Sequence, residues 1–252
     1  MISLLEIPVQ FPKGIRGHSM MGSIFHGALM ERIDEKAAAA YHELKTPRPY
    51  SQALYWDSRT KQMIWRIGTL TEEAAASLLE PLQHIRELYL KNRGYAVVLG
   101  VPRMIRQTTC ADLVQQIAAV KDVPNKVSFS FLTTASFKRD GVYAIFPEEG
   151  LVFSSLLRRW NSVSSSARWE DRDIPDLLGY YAAVDAYQLE TKAFQLERHY
   201  VKGFTGKVTY ALPGPEDIRR IQLVLASFAP FAGIGIKTAL GMGAVSVSFR
   251  IF

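Results

Sequence analysis

One order of predicted elements, strand–helix–strand–strand–helix–strand, occurs twice along the 252 residues and restricts the fold more than any other sequence feature. In the first half, a strand-like segment at 2–10 leads into apolar helical sequence from about His18 to His42. Alternating segments then flank a charged turn at 59–61, which is typical of a hairpin, and an amphipathic helix at 71–91 precedes a last strand. This order is the ferredoxin-like βαββαβ pattern.

The second half repeats the order. Residues 126–146 predict a strand, a basic turn and a returning strand, and residues 148–163 predict a helix whose two arginines are exposed. A polar insert follows, and residues 187–214 then predict a long hairpin with two glycines near its bend. A helix at 215–231, a glycine-rich loop and a last strand complete the second unit.

We therefore predict an α+β fold of two tandem ferredoxin-like, RRM-like βαββαβ domains, the second of which carries the C-terminal glycine-rich loop. The boundary is expected near residues 122–125, which gives an N-terminal domain at 1–122 and a C-terminal domain at 123–252. Two domains of this size fit the total length, because domains cluster near ~100–150 residues.

Composition indicates a soluble globular protein, since 48% of the residues are hydrophobic and the mean hydropathy is +0.01. The apolar runs are shorter than the ~20 residues that a membrane helix needs, so no membrane partner is expected. Residues 1–11 lack a basic region and a cleavage site, and predict a strand rather than a signal peptide. The single cysteine, Cys110, excludes a disulfide framework, so we expect a cytoplasmic location.

The charge balance makes nucleic acid a candidate partner. Lysine and arginine total 30 against 24 acidic residues, which gives a net charge of +6 and a pI near 9.4. A basic pI of this kind is one feature of nucleic-acid-binding proteins, but it is a weak indication by itself.

Residues 230–247 carry Gly233, Gly235, Gly241 and Gly243 in two Gly-x-Gly pairs. A phosphate-binding P-loop needs a lysine directly after its last glycine and a helix behind it, whereas here an isoleucine intervenes and a strand follows. A dinucleotide-binding fingerprint would open a helix within a βαβ unit, which the remaining chain is too short to supply. The glycines therefore predict a loop between the last helix and the last strand.

The histidines do not form a metal-binding pattern. His18, His26, His42, His84 and His199 include no His-Glu-x-x-His pair and have no cysteine partners, so neither a metal nor another cofactor is predicted. A Gly-x-Ser-x-Gly serine-hydrolase motif is also absent from the sequence. Acid–base and electrostatic roles remain for these side chains.

The segment at 39–51 has the densest group of such residues. His42 ends a predicted helix, Lys45 follows three residues later, and a rigid proline-flanked turn carries Arg48. A histidine in the last turn of a helix is favoured by the macrodipole for structural reasons alone. The same residues also suit cleavage of RNA without a metal. Histidine transfers protons near neutral pH, and arginine neutralises a phosphorane, so the two side chains could converge on one phosphate.

Three segments together resemble one known family: YHELKTPRPYS, GFTGKVTYAL and GIGIKTALGMGAV. They resemble the CRISPR-associated endoribonucleases that process precursor CRISPR RNA, which belong to the repeat-associated (RAMP) superfamily. The resemblance spans nearly the whole chain, and two Gly-x-Gly pairs before a final strand are fairly specific for it. It implies paired ferredoxin-like domains and cleavage of CRISPR repeat RNA, without a metal, to 5′-hydroxyl and 2′,3′-cyclic phosphate ends.

The resemblance also implies catalytic residues. His42 matches the histidine that the family places before its Lys/Arg-Pro turn, and Arg48 lies where many members have lysine. Some members use a tyrosine on the preceding helix, and here that tyrosine is absent. His26 lies in that neighbourhood, and either substitutes for the tyrosine or is a half-buried helix residue.

By the same resemblance, the glycine-rich loop would lie against the inter-domain cleft near the RNA backbone. Lys237 and Thr238 would be available to phosphates, while the glycines could serve the packing of their apolar neighbours. Other basic residues are candidate RNA contacts, although each is more often a solvated charge. The predicted RNA-binding set is Lys237, Thr238, Gly233, Gly235, Gly241, Gly243, Lys45, Arg16, Lys138, Arg139, Arg158 and Arg159.

Two functions from different classes remain open at this point. The first is an endoribonuclease acting on CRISPR repeat RNA, and the second is a non-catalytic RNA-binding RAMP subunit of a CRISPR interference complex. A nucleotide-binding enzyme is disfavoured by the broken P-loop spacing. CRISPR repeat RNA is the expected partner, and interference-complex subunits and a homodimer remain open as further partners.

Overall fold

The chain folds around two antiparallel β-sheets in a computed structural model that describes residues 1–44, 46–164, 167–196 and 199–250. The first half contains the sheet whose strands surround the N-terminal strand. Its elements in chain order are β1 (Ile2–Gln10), α1 (Gly22–Met30), α2 (Glu35–Glu43), β2 (Tyr50–Asp57), β3 (Gln62–Thr69), α3 (Glu72–His84), β4 (Glu87–Leu90), β5 (Tyr95–Leu99), β6 (Arg103–Thr108) and α4 (Cys110–Ala118).

The first sheet has the ferredoxin-like strand order. β3 lies between β2 and β1, and the other edge of β1 pairs with β6 over its first part and with β5 over its last part. The predicted last strand is therefore present but divided at residues 100–102, where Pro102 has no backbone N–H to donate to a ladder. β4 extends the sheet by pairing with β5.

The predicted helix at 71–91 is too long at its C-terminal end. Thr71 caps α3 by accepting a hydrogen bond from the backbone N–H of Ala74, as expected, but the helix ends at His84. Leu88 and Leu90 are fully buried while the residues between and before them are exposed, and this period of two is that of a strand. The end of the predicted helix is therefore the strand β4 instead.

The second half repeats the topology around β7. Its sheet has the order β10-β11-β7-β12, so each half is ferredoxin-like and the predicted tandem α+β fold is confirmed. Within the described ranges, no helix is long and apolar enough to cross a membrane. The elements are β7 (Lys126–Ala135), β8 (Phe137–Arg139), β9 (Val142–Ala144), α5 (Glu149–Val163), α6 (Ile174–Tyr180), β10 (Ala183–Gln195), β11 (Tyr200–Ala211), α7 (Glu216–Ala232) and β12 (Val245–Arg250).

The long hairpin bends at a different place from the one its glycines suggested. The bend lies between β10 and β11, whereas Gly203 and Gly206 lie within β11 itself. Gly206 adopts φ +117° where the pairing of β11 with β7 shifts register, so its positive φ serves a strand irregularity rather than a turn.

The second hydrophobic core reaches into the first half. It contains the fully buried Trp160 of α5 and also Ile2 of β1 and Leu113 and Ile117 of α4. α7 supplies a row of buried side chains to this core and contacts β1, β2 and β3 of the first sheet. The two halves therefore share apolar packing, and the domain boundary near residue 122 stays a prediction.

A buried glutamine side chain links the two halves. Gln52 of β2 is 2% exposed, and its amide nitrogen donates to the carbonyls of Gly22 and Ala239, both at 2.9 Å. Its side-chain oxygen accepts a hydrogen bond from Trp65 Nε1 at 2.9 Å. Both ends of the amide are thus satisfied, which avoids the cost of burying an unpaired polar group.

The loop between α7 and β12 crosses the start of α1 at two glycines. Gly241 has φ +109°, and a Cβ placed on it would lie 2.6 Å from Gly22 Cα. Real Cβ atoms do not approach other atoms this closely, so only glycine fits the crossing.

We expect Gly241→Ala to destabilise the protein by about 2–4 kcal/mol, because it adds steric overlap with α1 to the strain of a positive φ. Gly141 is a matched control, since it has φ +82° and no atom lies within 4 Å of the place that a Cβ would take. Gly141→Ala should cost only about 1 kcal/mol. Urea denaturation measures both free energies of unfolding, and equal losses would contradict the close crossing.

Candidate active site

His42 lies at the exposed end of α2. Asp34 begins this helix by accepting hydrogen bonds from the backbone N–H groups of Lys36 and Ala37, which separates α2 from α1. His42 follows in the last turn and its side chain is exposed.

His26 lies on α1 and faces the start of β2. Its Nε2 is 2.9 Å from the hydroxyl of Tyr50, and the two rings are stacked with centroids 6.2 Å apart. Burial is the main factor that lowers the pKa of His26 to about 4, and the charges of Arg48 and His42 lower it further. The imidazole is therefore neutral at pH 7, and the three predicted catalytic residues lie in one electrostatic neighbourhood.

Arg48 belongs to the proline-flanked turn between α2 and β2. Its Nε donates to the backbone carbonyl of Tyr41 at 3.0 Å, which ties the turn to the last turn of α2. The same helix end carries His42, so this hydrogen bond sets the arginine relative to the histidine.

Two tyrosines that were not predicted from the sequence, Tyr50 and Tyr41, complete this cluster. Tyr50 is fully buried and its pKa is raised to about 12, mainly by burial, so its hydroxyl keeps its proton. Tyr41 contacts the Tyr50 ring edge-on at 5.1 Å and shares a hydrogen bond of 2.7 Å with Ser77. An aromatic residue directly after a proline turn was the available signal, but local sequence does not indicate its contact with His26.

The prediction that both arginines of α5 are exposed is wrong for Arg159. Arg158 is exposed, whereas Arg159 is 6% exposed and lies under the turn of the first half. Its guanidinium donates to the carbonyls of Arg48 at 3.3 Å and Tyr50 at 3.2 Å. Burial, and then the charge of Arg158, lowers the pKa of Arg159 to about 10. Arg159 therefore holds the turn that carries Arg48 and is not accessible to RNA in this structure.

The four glycines of the last loop all have positive φ and all lie close to other atoms of the chain. A Cβ on Gly243 would lie 2.0 Å from the carbonyl oxygen of Ile234, and one on Gly235 would lie 2.3 Å from that of Ser136. Gly233 and Gly241 are similarly crowded. Close packing accounts for these glycines, and their contact with RNA stays a prediction.

Lys237 and Thr238 differ in their access to solvent. The Thr238 side chain is 3% exposed and packs beside Gly233, so the expectation that it is available to phosphates is wrong. Lys237 is half-buried with φ +55°, and its carbonyl accepts a hydrogen bond from the backbone N–H of Leu240 at 2.9 Å. Lys237 remains the predicted cation of this loop.

The other predicted RNA contacts belong to other elements than α1 and α2, which carry His26 and His42. Arg16 is exposed in the loop between β1 and α1, and Lys138 and Arg139 are exposed at the end of β8. Arg139 forms an ion pair with Glu148 at 2.5 Å, which raises its pKa. Lys45 lies outside the described residues.

Among the residues that the structure describes, no three His, Cys, Asp or Glu side chains are grouped so that they could hold a metal ion. The cluster itself presents imidazole, guanidinium and phenol groups.

Comparison with known proteins identifies relatives of the chain. Residues 129–245 match the family described as CRISPR-associated endoribonuclease Cas6. The Cas6 of Streptococcus thermophilus is 28% identical over 226 residues, which are 90% of each chain. The Cas6 of Mycobacterium tuberculosis is 27% identical over 243 residues, 96% of this chain and 76% of the relative.

Solved structures agree in fold. A Cas6 product complex has a TM-score of 0.79 at 20% identity, covering 98% of this chain and 100% of that one. The predicted resemblance is thus confirmed by sequence and by fold. The chain is therefore similar to CRISPR-associated endoribonucleases in sequence and in fold.

Proposed function

We propose that this protein cleaves CRISPR repeat RNA without a metal ion, by attack of a ribose 2′-hydroxyl on the adjacent phosphorus. The O2′–P bond forms as the P–O5′ bond breaks, which leaves a 2′,3′-cyclic phosphate and a 5′-hydroxyl. One proton must leave the 2′-oxygen and one must reach the 5′-oxygen. The observation that carries the proposal is the grouping of His26 with Arg48 and His42, whose charges both lower the pKa of His26.

His26 suits the role of proton acceptor. Its lowered pKa keeps the imidazole neutral, as a base must be before it accepts the 2′-hydroxyl proton. A phosphate bound beside Arg48 would offset the positive charge that depresses this pKa, and would make His26 more basic in the complex.

His42 suits the role of proton donor. It is exposed at the C-terminal end of α2, so its imidazole is accessible to a bound RNA. Protonated His42 could then transfer its proton to the departing 5′-oxygen, the step that otherwise leaves an alkoxide.

Arg48 supplies the charge that the transition state needs. A guanidinium stays protonated throughout and matches two phosphate oxygens at once. Its turn is held by Tyr41 on one side and by Arg159 on the other, which limits the movement of the charge during the reaction. Lys237 would add charge from the second half.

His42→Ala should slow single-turnover cleavage of repeat RNA by about 10²–10⁴-fold, because it removes a proton-transfer group. Arg48→Ala should also slow cleavage, and Arg48→Lys should recover part of the loss. The rates are measured with excess protein in EDTA, together with RNA affinity. His84→Ala is a matched control, since His84 is likewise an exposed histidine in the last turn of a helix. Full activity of His42→Ala would overturn its assignment. RNA binding without cleavage by the wild-type protein would favour the non-catalytic alternative.

His26→Gln separates proton transfer from a purely structural role. Glutamine can keep a hydrogen bond to the Tyr50 hydroxyl but does not titrate near neutral pH. If His26 accepts a proton, His26→Gln and His26→Ala should both lose about 10²–10⁴-fold in the single-turnover rate. A glutamine variant close to wild-type activity would mean that His26 only holds Tyr50.

The pH dependence of stability tests whether His26 is neutral in the folded protein. The pKa of His26 is about 4 in the folded protein, below the ordinary value of 6.5. The contribution of neutral His26 to the free energy of unfolding is therefore complete above pH 6.5, and it is lost as the pH falls toward 4, because the unfolded chain then binds the proton first. When the pH is lowered from 7.5 to 5, the free energy of unfolding of the wild-type protein should fall by up to about 2 kcal/mol more than that of His26→Gln. Urea denaturation at the two pH values measures this difference. Parallel losses would mean that the pKa of the histidine is not depressed.

A further inference from the structure

A groove of about 1260 Å³ lies at the end of the first sheet, away from the histidine cluster. It is formed by the loop that follows β1, the turn between β2 and β3, and the end of β5. Of the described residues that line it, Arg16, His18 and Lys61 are basic and none is acidic. A bound anion would therefore meet no negatively charged side chain among these residues of the groove wall.

Trp56 presents an aromatic surface in this groove. It is 55% exposed, whereas Trp65 and Trp160 are fully buried in the two cores. A tryptophan left in water gives up the stabilisation that burial of so large an apolar surface would provide. An exposed indole beside basic side chains is the combination with which proteins bind single-stranded nucleic acid, because bases stack on the ring while cations contact phosphates.

A second, smaller cavity lies next to the groove along the chain, since Ser19 lines the groove and Met20 lines the cavity. Burial and the charge of Arg93 lower the pKa of His18, so Arg93 lies near this wall of the groove. Arg93 also lines a cavity of about 530 Å³ together with Ser23 of α1. Ser23 precedes His26 by three residues and so lies on the same side of that helix.

The distance along β2 between Tyr50 and Trp56 suits an extended strand of RNA. β2 begins at Tyr50, which contacts His26, and passes Trp56 near its end. Six residues of β-strand span about 20 Å, so the stacking surface lies several nucleotides from the cleavage site rather than at it.

We infer that this groove binds a single-stranded segment of the substrate RNA that continues from the cleavage site, with a base stacked on Trp56 and phosphates beside Arg16 and Lys61. The inference rests on the proposed function for the identity of the RNA. Single-stranded rather than duplex RNA is specified because a base must leave its own stack before it can lie on the indole ring.

The test measures binding of repeat RNA that carries a 2′-deoxy nucleotide at the cleavage position, so that binding is independent of catalysis. Trp56→Ala should weaken binding by about 5- to 150-fold, and Trp56→Phe should recover much of the loss. Arg16→Ala should weaken binding and reduce its salt dependence. Tyr180→Ala is the control, since Tyr180 is 79% exposed on α6 and does not line the groove.

Truncated RNAs locate the bound segment. Probes shortened from the 5′ side or from the 3′ side are compared with the full repeat, and one of the two series should bind wild-type protein and Trp56→Ala equally. Annealing that segment to its complement should also abolish the difference. Equal affinity of Trp56→Ala and wild type for every probe would overturn the groove assignment while leaving the cleavage proposal intact. A wild-type protein that binds no probe would overturn both.

Discussion

The crossing of Gly241 over Gly22 determines where the two halves of the molecule meet. A Cβ on Gly241 would lie only 2.6 Å from Gly22 Cα, so the contact has no room for a side chain at this position. The side-chain amide of Gln52 joins the two crossing segments by donating hydrogen bonds to the carbonyls of Gly22 and Ala239. Because Gly22 begins α1 and His26 follows one turn later, the glycine loop of the second half sets the position of a candidate catalytic residue in the first. The glycines thus act on the candidate site by packing, whether or not RNA touches them.

Arg159 is a second residue through which the second half of the chain positions the candidate site of the first half. Burial of a guanidinium is costly, and here the cost is offset only in part by two backbone carbonyls, those of Arg48 and Tyr50. Its Nε has no hydrogen-bond partner in the described structure. Those carbonyls flank the residue that joins the turn to β2, so the second half constrains Arg48 through its backbone, while Tyr41 holds its side chain at Nε.

Local sequence signals predicted the elements but not the contacts between them. The hairpin at 59–61 and the repeated element order each depend on neighbouring residues, and each is present in the structure. Arg159 and Thr238 were misjudged because their burial depends on residues far away in the chain. Leu88 and Leu90 could have indicated β4, since their spacing of two does not suit a helix.

In the proposed mechanism, the positive charge around His26 couples proton transfer to RNA binding. Without RNA, burial and the charges of Arg48 and His42 hold the pKa of His26 near 4, which makes it a weak base. A seated phosphate would neutralise part of that charge and raise the pKa toward the working pH, where a general base is most effective. The cations that attract the phosphate are then the same groups that keep His26 from acting before the RNA arrives. The basicity of the proton acceptor is therefore set by the substrate as well as by the protein.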